Sequence, residues 1–129
     1  ELLADMKIDS EKDIDVAARK LIDMGPKAVL IKGGHFGSAS AAEFTDWLAL
    51  PDEPLIALKQ PGVKTSNNHG TGCTLSAAIA TYLGLGLGIR DAIVHAQKFL
   101  NHCLRHGYAP GLGAGPPNHA SWIAKRVGE

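Results

Sequence analysis

From Thr65 to Ile89 the chain carries no formally charged residue, and most of Cys73 to Ile89 is apolar. Such a stretch has to be covered, by a bilayer or by other protein. A membrane-spanning helix needs about 20 consecutive, predominantly apolar residues. Its apolar part, Cys73 to Ile89, is shorter, is broken by Gly84, Gly86 and Gly88, and is preceded by the polar Ser66-Asn67-Asn68-His69. A helix buried against a sheet fits it better, and no membrane partner is expected.

The entry to that helix, Asn67-Asn68-His69-Gly70-Thr71-Gly72-Cys73-Thr74-Leu75-Ser76, is the most chemical segment of the sequence. Gly70 and Gly72 let the backbone turn tightly and approach a ligand without Cβ interference. The first N–H groups of the helix have no partner inside it and lie at the positive end of its dipole. That is a site for an anion such as phosphate. Cys73 falls in the first turn, a position that favours a thiolate. Phosphate cradle and thiol together suggest phosphoryl transfer. The plain alternative is a glycine-rich loop with a small packing cysteine, and a lone Gly-x-Gly does not exclude it.

The remainder reads as alternating helix and strand. Ser10 with Asp13 three positions on is a capping-box variant, followed by Ile14, Ala17, Ala18, Leu21 and Ile22 on one helical face. Gly25 and Pro26 end that helix. Ala28-Val29-Leu30-Ile31 is an unbroken apolar run between breakers, the pattern of a parallel strand buried on both faces, and it stops at Lys32-Gly33-Gly34-His35. Phe44 to Leu50 and Leu55 to Leu58 are predicted strands about the turn Pro51-Asp52-Glu53-Pro54. Helices are predicted from about Cys73 to Tyr82, about Arg90 to His106 and around Ser121–Val127, with a glycine- and proline-rich loop over Gly107–Pro117. The fold class is therefore α/β and layered. In open α/β sheets ligands bind beyond the carboxyl ends of strands, so Lys32 and the Gly70–Cys73 turn are expected to face one cleft.

Thirteen basic residues balance thirteen acidic ones in 129 residues. Nucleic acid is therefore not an expected partner, and a phosphorylated ligand would have to be held locally. Two cysteines and no secretory leader point to reduced thiols in the cytoplasm. Glu1-Leu2-Leu3-Ala4 reads like a helix already under way, so the chain is expected to be a piece of something larger.

Lys32 beside two glycines is placed to reach a phosphate as a mobile charge. The Gly-x-x-x-x-Gly-Lys-Ser/Thr loop is absent, which excludes a Walker-type site. His95, His102 and His106 share one side of their helix with Cys103, but no Cys-x-x-Cys or His-Glu-x-x-His accompanies them. A partly solvated helix face is preferred over a metal. Trp47 and Trp122 are expected to pack.

Val29-Leu30-Ile31-Lys32-Gly33-Gly34-His35 and His69 through Ala80 together resemble the hydroxymethylpyrimidine/phosphomethylpyrimidine kinase family, the thiamine-pathway branch of the ribokinase-like superfamily. Gly113-Ala114-Gly115-Pro116-Pro117-Asn118-His119 is similar to that family's closing Gly-Pro-x-Asn-His segment. The resemblance implies a ribokinase-like layered fold, with residues 1–129 forming the carboxy-terminal portion of the kinase domain. It implies ATP and Mg2+ as cofactors and a small pyrimidine as acceptor. Gly70, Thr71 and Gly72 would form the anion hole, and Cys73 the base where most ribokinase-like enzymes have aspartate. Lys32, with Gly33 and Gly34, would serve the nucleotide. The family's amino-terminal half supplies most of the pyrimidine pocket and an Asn-x-x-Glu motif that helps position magnesium, and both would precede Glu1. Asn68 departs from the family's usual threonine. A homo-oligomer, or pairing with an amino-terminal half, is expected. Two alternatives stand beside this one: a pyridoxal or pyridoxine kinase of the same superfamily, and a non-catalytic half-kinase that binds nucleotide.

Overall fold

Ser10 and Asp13 start the first helix by satisfying each other. The Ser10 hydroxyl accepts the Asp13 N–H at 3.3 Å and donates to the Asp13 carboxylate at 2.7 Å, while that carboxylate also accepts the Asp9 N–H at 3.1 Å. These bonds, led by the one from Ser10, hold the Asp13 carboxyl below its ordinary value. Helix α1 (Glu11–Asp23) follows and buries Ile14, Ala17 and Ala18. Gly25, at φ 112°, closes it as its N–H meets the Ile22 carbonyl at 2.9 Å. Ahead of it, Glu1–Ala4 forms turns instead of the expected helix, and Asp5 at φ 45° is a conformation no helix continues through.

The computed structural model describes residues 1–33 and 43–127, in two compact units, Glu1–Gly62 and Val63–Glu129. In the first unit, β1 (Val29–Ile31), β2 (Glu43–Ala49) and β3 (Ile56–Pro61) form a sheet in the order β1-β2-β3. Both pairings are antiparallel, with Leu30 opposite Leu48 and Trp47 opposite Ala57. β1 is thus neither parallel to its described neighbour nor enclosed, since Val29, Leu30 and Ile31 are half-buried. An unbroken apolar run reports that a strand is covered; it carries no information on direction. α1 packs on β1 and β2, over a core that includes Trp47, Leu48 and Ala49. Arg19 ties this layer to the β2–β3 turn, donating to the carbonyls of Leu50 (3.1 Å) and Glu53 (2.7 Å).

The second unit is helical: α2 (Thr71–Gly84), α3 (Ile89–Arg105) and α4 (Ala120–Val127). α2 packs on α3, and α3 on α4. The uncharged helix therefore lies against another helix, with no described strand in its unit, and it leaves Ala77, Ala80 and Leu83 exposed. Ala92, Ile93, Ala96, Leu100 and Cys103 form the apolar stripe of α3, with Gln97 buried among them. No helix among the described residues is long and apolar enough to cross a membrane.

The two thiols differ sharply. Cys73 is exposed, whereas Cys103 is fully buried and its thiol is pushed up to about 11 by that burial. A thiol must ionise and be reached before it is alkylated. At pH 8, iodoacetamide is expected to label Cys73 alone in the folded chain and both cysteines in denaturant, read by peptide mass spectrometry. Equal labelling of Cys103 in the folded chain would contradict this packing.

Candidate active site

α2 begins where a side chain would be strained. Gly70 is its N-cap at φ 83° and ψ 9°, and no side chain caps the helix. Left-handed backbone at this position favours glycine, since a Cβ there crowds the next carbonyl. The Thr74 N–H closes the first turn on the Gly70 carbonyl at 2.9 Å, and the Thr71 N–H reaches the Asn68 carbonyl at 3.4 Å. Between them, the N–H groups of Gly72 and Cys73 have no protein partner among the described residues. Gly72 has open space around the position a Cβ would take. The result is two donors at the positive end of a helix, beside an exposed thiol and with no side chain across the approach at Gly72. Gly70, Thr71, Gly72 and Cys73 come together as one turn.

Lys32 belongs to the first unit. It is exposed, directly after β1, and borders a cavity of about 570 Å³ with Asp9, Ile14 and Trp47. Gly33 has a packing role that its sequence context does not reveal. Its N–H donates to the Asp46 carboxylate at 3.0 Å, and a Cβ would run into the Thr45 carbonyl and the Trp47 ring. Gly34 and His35 lie outside the described residues.

Three features beside the turn carried no signal in residue spacing. The first is a largely apolar cavity of about 610 Å³ that runs from Cys73 and Ala77 along α2 to Tyr82, Phe99 and Trp122. The second is a bond from the α2 start to the closing segment, with Thr74 Oγ1 2.9 Å from His119 Nε2. The third is Asn67, whose side-chain oxygen accepts the Gly115 N–H at 3.2 Å.

The histidine face of α3 is occupied by protein. His102 Nε2 lies 3.2 Å from the Ser121 carbonyl, His106 Nδ1 lies 2.9 Å from the His102 carbonyl, and the His95 ring is 5.3 Å from that of Tyr82. Among the described residues no three His, Cys, Asp or Glu side chains converge as metal ligands.

Residues 1–118 match the phosphomethylpyrimidine kinase family. The chain is 43% identical over 121 residues to a hydroxymethylpyrimidine/phosphomethylpyrimidine kinase of Synechococcus elongatus, spanning 92% of this chain and 44% of that protein. It is 34% identical over 119 residues to the thiamine biosynthesis bifunctional protein ThiED of Geobacter sulfurreducens, spanning 92% of this chain and 24% of that one. Among solved structures, a Bacillus subtilis pyridoxal kinase in an ADP complex superposes with a TM-score of 0.83 at 26% identity, over 94% of this chain and 45% of its own. The ribokinase-like α/β fold is therefore shared, and the chain spans less than half the length of these relatives.

The two glycines of the turn are expected to respond oppositely to alanine. Gly70→Ala forces a Cβ into left-handed backbone and should cost about 1–2 kcal/mol. Gly72→Ala replaces a helical glycine in open space and should leave stability equal or raise it by about 0.5–1 kcal/mol, while placing a methyl group on the approach to the Gly72 and Cys73 donors. Thermal melts of both variants, paired with phosphate titrations, check this. Retained anion binding in Gly72→Ala would remove these donors from the site.

Proposed function

Because the chain belongs to the phosphomethylpyrimidine kinase family, we propose that it holds the phosphate-binding end of an ATP- and magnesium-dependent kinase. That kinase would phosphorylate hydroxymethylpyrimidine and then its monophosphate, in thiamine biosynthesis in the cytoplasm. The observation that carries the reading is the pair of partnerless N–H groups at Gly72 and Cys73, beside the exposed Cys73 thiol. Positioning and charge stabilisation do most of the work in phosphoryl transfer. In this reading the Gly70-Thr71-Gly72 turn receives the transferring phosphoryl group through the open N–H groups of Gly72 and Cys73, since the Thr71 N–H is engaged by Asn68. Lys32 neutralises nucleotide phosphates. The Gly33 N–H is already engaged by Asp46, so in the Lys32-Gly33-Gly34 run the lysine ammonium is the group assigned to phosphate.

Cys73 serves the first step. As a thiolate it takes the proton of the hydroxymethyl group while that oxygen attacks the γ-phosphorus and the bond to the β-phosphate oxygen breaks, leaving ADP. In the second step the attacking phosphate oxygen is already anionic and has less need of a base. The missing length relative to the Synechococcus protein supports assigning most of the acceptor pocket and the metal-positioning groups to an amino-terminal half that pairs with this chain. The likeness to pyridoxal kinases favours pyridoxal as the second candidate acceptor.

The test supplies ATP, Mg2+ and one acceptor at a time to the chain alone and to the chain co-expressed with the amino-terminal part of the Synechococcus relative. Turnover is expected in the pair, on hydroxymethylpyrimidine in preference to pyridoxal. Preference for pyridoxal would replace the acceptor assignment, and nucleotide binding without turnover in the pair would favour a non-catalytic module. In single-turnover measurements Cys73→Ala should lower phosphorylation of the free alcohol by roughly 10²–10⁴ and that of the monophosphate far less. An unchanged alcohol step would end the base assignment. Lys32→Ala should weaken ATP and leave the acceptor's affinity alone; equal loss for both would remove Lys32 from the phosphate site.

A further inference from the structure

Residues 67–74 are held from outside at three points, and the anion turn lies between them. At one end the Asn67 side chain accepts the Gly115 N–H at 3.2 Å, and the His69 N–H donates to the Gly115 carbonyl at 3.2 Å. At the other, Thr74 Oγ1 meets His119 Nε2 at 2.9 Å. Residues 70–73 make no hydrogen bond of their own to another element among the described residues. We propose that Gly115–His119 is a clamp that sets the geometry of the turn, with His119 as its positioning residue for the Gly72 and Cys73 donors.

His119 is itself fixed before it reaches Thr74. The preceding N–H, of Asn118, donates at 2.9 Å to the Cys103 carbonyl in the last turn of α3. The His119 carbonyl accepts the Trp122 N–H at 3.3 Å as α4 begins. Its imidazole lies nearly parallel to the Phe99 ring, with an interplanar angle of 13° and centroids 6.1 Å apart. Thr74 is buried, and its hydroxyl meets a residue outside α2, unlike two other hydroxyls of the helix. Those of Ser76 and Thr81 donate back to the carbonyls of Gly72 and Ala77, both at 2.9 Å. The far end of the clamp has no slack either: a Cβ on Gly115 would meet the Tyr108 carbonyl and the Asn67 side chain. Donors that stabilise a transferring group act at full strength only when their supporting shell holds them in place beforehand.

The inference rests on the turn binding an anion, so the test reads both. Iodoacetamide alkylation of Cys73 in the 129-residue chain is followed while inorganic phosphate is titrated; the buried Cys103 serves as internal reference. Phosphate on the Gly72 and Cys73 donors should protect the thiol. His119→Ala should raise the phosphate concentration for half-protection by roughly tenfold, the scale of one lost hydrogen bond, with circular dichroism and melting temperature near those of the parent. His119→Gln places an amide near the position of Nε2 and should restore most of the protection. Thr74→Val removes the hydroxyl at similar volume and reads the same bond should His119→Ala lose its fold. Protection in the parent with no shift in either His119→Ala or Thr74→Val overturns the clamp and leaves the anion turn standing. Failure of a folded His119→Gln to recover also overturns the positioning role. No protection of the parent at any phosphate concentration ends the anion turn, and the clamp with it.

Discussion

A helix start leaves backbone donors without partners inside the helix, and most proteins cover them with a capping side chain. α1 does so with Ser10 and Asp13. α2 does not: its cap is Gly70, which contributes a left-handed turn and no side chain. The Gly72 and Cys73 donors stay open as a result. In the same unit α2 is laid on α3, and the 115–119 segment is bonded on both sides of the turn. The two helices of the same chain thus treat one physical problem in opposite ways, one closing its N-terminus for stability and one leaving it available.

Leaving donors open carries a stability cost, and the surroundings show how it is offset. Gly72 adds the conformational penalty of a helical glycine. Against these stand the fully buried Ile93 and Cys103 on α3 and the contacts of Phe99, His102 and Trp122 that join α3 to α4. The sheet unit contributes separately, through the α1 face packed on β1 and β2.

Much of this was legible in the sequence because local rules govern it. The Ser10–Asp13 box, the Gly25 stop, the approximate bounds of α2 and α3 and the glycine turn at the start of α2 depend on residues within a few positions of one another. The direction of β1 was not legible, since Val29–Ile31 would read the same in either orientation. Nor was the nature of the surface covering α2, because uncharged residues demand cover without saying whether helix or strand supplies it. Gly33 followed the pattern of a ligand-facing glycine, yet its described surroundings are the Thr45 carbonyl and the Trp47 ring. The motif at Gly113–His119 was visible as a resemblance, but its bonds to Asn67 and Thr74 span 48 and 45 positions. Nothing in local spacing reports such contacts.

That separation has a consequence for how the molecule is made. The glycine turn leaves the ribosome well before the residues that hold it, and synthesis at about 5–20 residues per second puts seconds between the two events. During that interval α2 has neither Gly115 beside Asn67 nor the His119 ring beside Thr74, and the Cys73 thiol sits on an unbraced segment. Residues 115–119 therefore reach the turn only after it has emerged, and a nascent chain arrested before Gly115 would carry the Gly70–Cys73 motif in full without those bonds.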